Sequence, residues 1–175
     1  MDLQFTVHPT QYFTATIYQW QPVLTKSSYK DIIIESLQYL VQNKRIELNA
    51  FVIMNNHIIW QALPGFSPSQ IQASFMKYTA QQIKRLLIND ESDTLETFKV
   101  NKYDREYQIW KREPLSIDLL NEPMFRQKFQ YIHFNPVRAG LCAVPEDYFY
   151  SYARFYYDRT NDFGMLNYSG IDVRG

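Results

Sequence analysis

Two apolar runs separated by a pair of asparagines, IELNAFVIM at 46–54 and HIIWQAL at 57–63, constrain the fold of this chain most strongly. Both are dense in β-branched and aromatic residues, the composition that packs on a pleated sheet. Asn55 and Asn56 supply turn chemistry, because a short amide side chain can hydrogen-bond nearby backbone. The second run therefore continues the first strand or pairs with it across a hinge at 55–56. His57 opens that second run.

The flanking segments read as alternating strands and helices. Residues 11–20 (QYFTATIYQW) alternate Phe13, Ala15 and Ile17 with Thr14, Thr16 and Tyr18 and predict a strand, which Pro22 ends. Ser27 and Ser28 are candidate caps for a helix to about Lys44, with Ile32, Ile33, Leu37, Leu40 and Val41 at helical spacing. Ser67 and Pro68 are placed to open a second helix whose inner face carries Ile71, Phe75, Tyr78, Ile83, Leu86 and Leu87. After a solvated acidic connection at 89–96, residues 107–113 (YQIWKRE) predict a further strand, with Ile109 and Trp110 on opposite faces. A third helix starts near Asn121–Glu122–Pro123 and ends at Asn135, because a following proline disfavours the helical region. This order is an α+β, ferredoxin-like split βαβ pattern: an antiparallel sheet with two helices on one face, the other face partly free, and a terminal helix. We expect a single domain over 1–175, with about 158–175 as a C-terminal extension packed over the body.

Composition narrows the function classes. The chain has 175 residues, 46% hydrophobic and 21% charged, which suits one globular domain with a real core. Its formal net charge is +0, so contact with nucleic acid has to come from a local basic patch. One cysteine, Cys142, excludes an internal disulfide and every cysteine-based zinc cluster. No run approaches a membrane span and MDLQFTVHPT lacks a signal pattern, so a soluble, cytoplasmic protein with no membrane partner is expected. Aromatic residues make up 17%, enough for a ring-rich core or for a platform on which unpaired bases stack.

The chemistry-bearing residues are His57 and the segment YIHFNPVRAGL at 131–141. Tyr131 and Asn135 lie four apart on a helix and project from one face. His133, two residues beyond Tyr131, points elsewhere, and His8 has no motif around it. Tyr78 is a rival phenol but its register favours core, and Tyr148, Tyr150, Tyr152, Tyr156 and Tyr157 are read as packing. No Gly-rich phosphate loop and no Ser-His-Asp order is present.

Taken together, FVIMNNH (51–57), FMKYTAQQIK (75–84), VNKYDREYQIWKR (100–112), YIHFNPVRAGL (131–141) and PEDYFYSYARFYY (145–157) resemble the IS200-like, REP-associated tyrosine transposases of the HUH class of single-strand DNA nucleases. The resemblance runs from about Tyr12 to Gly164. It implies a strand with a His–hydrophobic–His motif whose imidazoles share one divalent metal, since residues i and i+2 face the same way. It also implies a helix-borne tyrosine that attacks the phosphodiester and keeps the bond energy in a 5′-phosphotyrosine link. On that mapping Tyr131 is the nucleophile, and His57 and Asn135 are ligands for Mg²⁺ or Mn²⁺. The second histidine is missing: position 59 is Ile59, and NHIIWQ looks like the family's NHIHLIWQ with two residues removed, or with a direct substitution. One imidazole and one amide make a poor cage for an oxygen-seeking cation.

The implied partner is single-stranded or hairpin DNA, contacted by Lys77, Lys84, Arg85, Lys99, Lys102, Arg105, Lys111, Arg112 and Arg138, and a homodimer is compatible with the family. Three functions follow: a working transposase, a domesticated protein that binds DNA hairpins without cutting, and a ferredoxin-like interaction module with no nucleic acid. The loss at position 59 leans towards reduced or absent cleavage.

Overall fold

The structure is a computed structural model and describes residues 8–172. The segment 1–7, most of the stretch in which a signal pattern was sought, and the last three residues of the expected extension lie outside the described residues. Strand β1 (Thr10–Thr16) leads to helix α1 (Ser27–Gln42), then to β2 (Ile46–Ile53) and β3 (His57–Pro64). Helix α2 (Pro68–Asn89), a short α3 (Thr94–Thr97) and a small hairpin of β4 (Lys99–Lys102) and β5 (Arg105–Tyr107) follow. Then come β6 (Leu115–Leu119), α4 (Glu122–Arg138) and α5 (Ala153–Asp158).

β2, β3, β1 and β6 form one antiparallel sheet in that order, the arrangement expected of the split βαβ pattern. The two apolar runs pair across Asn55–Asn56, with the Met54 amide donating to the His57 carbonyl at 2.8 Å. The turn is pinned from outside as well: Ile17 and Leu24 amides donate to the Asn56 and Asn55 carbonyls at 2.8 and 2.9 Å.

Because side chains alternate along a strand, the register divides the sheet into two faces. Phe13 and Trp60 are cross-strand partners, with ring centroids 4.4 Å apart, and both rings pack on Phe75 of α2. The opposite face carries the pairs Tyr12–Gln61, Thr14–Ile59 and Thr16–His57. Helix α4 lies over this second face, where Gln61 Nε2 donates to the Phe125 carbonyl at 3.4 Å. The outer edge of β2 is covered too: the Ile53 and Tyr152 amides donate to the Tyr150 and Phe51 carbonyls. The extension reaches the same strand, with the Asn167 amide on the Leu48 carbonyl at 2.8 Å.

Several expectations change. The fourth strand is Leu115–Leu119 rather than 107–113, and its LSIDL alternation is the half-buried strand signature. Ile109 and Trp110 are both buried, with Trp110 bridging Ile17 and donating from Nε1 to Thr79 Oγ1 at 2.9 Å. Thr79 accordingly takes the inner position on α2 and Tyr78 turns outward, 49% exposed, while Leu86 is half-buried. A hydroxyl inside the core is stable here because it also donates to the Phe75 carbonyl at 2.8 Å. Ser67 caps nothing and bonds Ser69 instead, and the residue before α1 is Lys26, without a side-chain cap. Tyr157 is exposed, unlike Tyr152 and Tyr156.

Helix α4 runs past Asn135 and through Pro136. The proline removes the amide that would serve the Ile132 carbonyl. The helix holds because its end is tied off just beyond: the Gly140 and Leu141 amides donate to the Val137 and Pro136 carbonyls at 3.0 and 2.9 Å. Gly140 adopts φ +72°, the left-handed conformation this closing turn requires.

Candidate nucleic-acid interface

The direction of α4 determines which residues meet. Phe125 lies over Gln61, and ten residues later Asn135 reaches His57, four positions back along β3. Ten helical residues span about 15 Å and four strand residues about 13 Å, so helix and strand run antiparallel with matched lengths.

His57 is half-buried at the start of β3. Its Nδ1 lies 2.7 Å from Asn56 Oδ1, so in the neutral ring Nδ1–H donates to Asn56. Burial holds the imidazole below its ordinary pKa, and interaction with the Asn135 side-chain oxygen as an acceptor opposes that by favouring the charged ring. Asn135 itself is buried on α4. The His57 and Asn135 side chains are thus brought together from a strand and a helix 78 residues apart in the sequence.

Tyr131 sits one turn earlier on α4, with 47% of its surface exposed. The Arg138 guanidinium carbon is 4.4 Å from the Tyr131 ring centroid, and the same side chain donates to the Tyr131 carbonyl. The face beneath holds Tyr12, only 3% exposed. Burial pushes the Tyr12 phenol above its ordinary pKa; the Thr14 hydroxyl pulls it back, the neighbouring Tyr131 raises it further and Arg138 lowers it. Lys128 Nζ stands 4.9 Å from the Tyr12 ring centroid. Tyr12 and Lys128 were missed in the sequence. The helical period places Lys128 with Tyr131, Asn135 and Arg138, but nothing local in the sequence says that Tyr12 faces them.

The second strand position implied for a ligand is filled by Ile59, 1% exposed, facing α4 between Val52 and Thr14 on the neighbouring strands. Beside it Thr14 Oγ1 and Gln61 Oε1 are buried without a well-formed hydrogen bond, as is His133 Nδ1 on α4. The donors available are therefore one imidazole nitrogen and one amide oxygen, and among the described residues no group of three or more His, Cys, Asp or Glu side chains could hold a metal ion. This set does not fit Mg²⁺ or Mn²⁺, which favour oxygen-rich, near-octahedral coordination.

The architecture has known counterparts. A REP-associated tyrosine transposase, in a structure of that protein bound to a REP hairpin, superposes with a TM-score of 0.64 at 18% identity, covering 100% of this chain and 90% of that one. The chain has a transposase fold. A candidate transposase from Deinococcus radiodurans R1 superposes with a TM-score of 0.50 at 13% identity, over 75% of this chain and 94% of that one. Neither a protein-family model nor a curated protein matches the sequence. No helix among the described residues is long and apolar enough to cross a membrane.

Within this transposase fold the expected cations divide into separate groups. Arg138 alone joins Tyr131. Lys77, Lys84 and Arg85 lie on α2, across the sheet from α4. Lys99, Lys102 and Arg105 belong to the β4–β5 hairpin, with Arg105 paired to Asp104 at 2.6 Å and Lys84 4.8 Å from the Tyr107 ring centroid. Arg112 is exposed in the following loop. Lys111 is closer to the His57 end of the sheet: its amide donates to the Thr16 carbonyl at 2.7 Å, and Thr16 is the cross-strand partner of His57.

Proposed function

We propose that this protein is a transposase-like DNA-binding protein that holds single-stranded or hairpin DNA along α4, with Tyr131 presented to the backbone, and that metal-assisted cleavage is lost or strongly weakened. One observation carries the reading: the Asn135 side chain reaches His57 from the helix that exposes Tyr131 one turn away. A helix thus carries a phenol and an amide, and a strand carries the imidazole that the amide reaches, on one face of the sheet. The solved relative that shares this fold over the whole chain is bound to a DNA hairpin, which supports the same class of ligand here.

The residues present do part of the work. Arg138 fixes the Tyr131 ring by stacking and supplies positive charge where a phosphate would approach. Asn56 fixes the tautomer of His57, and Asn135 orients the ring. A second ligand opposite His57 is lacking, because Ile59 offers no donor atom. The protein thus keeps the positioning half of the chemistry.

The direct test is fluorescence anisotropy with labelled DNA hairpins bearing single-stranded flanks, in EDTA. Binding without metal, at least tenfold tighter than to a blunt duplex of equal length, is expected. Equal affinity for both, or none, contradicts the proposal and favours an interaction module. A working transposase is the second reading, favoured by the exposed Tyr131 side chain. It predicts an SDS-stable protein–DNA adduct in Mn²⁺ that Tyr131→Phe abolishes.

A further inference from the structure

We propose that Lys128 and Arg138 seat the phosphodiester backbone of one DNA strand on either side of the Tyr131 hydroxyl, with the Tyr12 ring as the wall that positions Lys128. The proposal rests on the DNA-binding reading above and names the atoms that would hold the strand.

Residues 128, 131, 135 and 138 follow the spacing i, i+3, i+7 and i+10, so they form a single stripe along α4. In this stripe only Asn135 is buried, whereas the neighbouring stripe of Phe129, Ile132 and Pro136 is buried throughout. Each cation on the outer stripe is held by an aromatic ring: Lys128 Nζ is 4.9 Å from the Tyr12 centroid and Arg138 Cζ is 4.4 Å from the Tyr131 centroid. A cation on a ring keeps its full charge while losing much of its freedom, so less entropy remains to be lost when an anion arrives. Arg138 is also folded back along the helix, since Nη2 donates to the Tyr131 carbonyl. The other guanidinium N–H groups stay available for a phosphate.

Neither Lys128 nor Arg138 takes part in the ion pairs of the described residues, whereas Arg126 on the same helix is neutralised by Glu122 at 2.8 Å. The formal net charge of the whole chain is +0, so two uncompensated cations on one stripe create a local field that the whole molecule does not. A linear polyanion is the complementary ligand. The phenol between the cations makes a DNA strand the favoured one, because the transposase-like reading places the backbone there.

The test is a salt titration of binding to a DNA hairpin with a single-stranded flank, in EDTA, for the native protein and for Lys128→Gln, Arg138→Gln, Arg138→Lys and Lys44→Gln. Each neutralised phosphate contact adds about 0.7–0.9 to the slope of log K against log salt. Lys128→Gln and Arg138→Gln are expected to lower the slope by about one contact each. Arg138→Lys should retain the slope, which separates lost charge from a disturbed helix. Lys44→Gln, on the loop after α1, should match the native protein. A steep native slope left unchanged by Lys128→Gln and Arg138→Gln overturns the seat and leaves the DNA-binding reading standing. A native protein that binds no DNA overturns both, and an equal loss on an RNA hairpin overturns the assignment to DNA.

Discussion

Ile59 is the residue on which the chemistry turns. It occupies the i+2 position from His57, on the same face and beneath the same helix. Replacing it with histidine would place a second imidazole against α4, next to the buried Thr14 and Gln61 oxygens. In EDTA, Ile59→His is expected to destabilise the fold by about 1–3 kcal/mol, because a polar ring replaces a packed alkyl chain. Mn²⁺ at a hundred times its Kd should return about 2.7 kcal/mol. Thermal melts with and without Mn²⁺ check this; an equal gain for the native protein would show that His57 and Asn135 suffice. His133 gives a pH prediction. Burial holds its pKa down to about 4, against an ordinary value of 6.5. The unfolded chain therefore takes up that proton first, and stability falls as the pH drops from 6.5 towards 4, by up to about 3 kcal/mol, then levels off. The shift of His57 has the same sign. Urea denaturation at several pH values should show the decline, and His133→Leu should make it shallower, leaving the part due to His57.

At the scale of elements, what was legible in the sequence followed side-chain period. The β2–β3 hairpin, the two long helices and the shared face of Tyr131 and Asn135 all come from spacings of two or of three to four residues. Misreadings arose where a tertiary contact outweighs local pattern. YQIWKRE looked like a strand because Ile109 and Trp110 are strong sheet formers, yet the Trp110 bond to Thr79 holds that segment down as irregular chain and leaves the edge to LSIDL. Pro136 looked like a stop, and the closing turn at Gly140 carries the helix through it. Which face α4 would cover, and so whether Tyr12 and Lys128 belong to the site, depends on contacts between distant segments that no local spacing encodes. The anchor of α4 is itself testable. The buried Tyr152 hydroxyl donates to the Phe129 carbonyl at 3.0 Å, with the two rings 4.8 Å apart. Tyr152→Phe is expected to lower unfolding stability by about 1 kcal/mol in urea denaturation. An unchanged midpoint would mean that ring packing alone fixes the helix.

For the whole molecule, a formal charge of +0 means that recognition depends on where the cations stand. The fold places Lys77, Lys84 and Arg85 on one side of the sheet and Lys128 and Arg138 on the other, so one strand of DNA has to choose between them. We assign it to α4, over the His57 face. Photocrosslinking of a hairpin whose single-stranded flank carries 4-thiothymidine, followed by mass spectrometry of the crosslinked peptides, decides this most directly. Crosslinks to the α4 segment around Tyr131 are expected. Crosslinks confined to residues 77–85 of α2 would contradict the account.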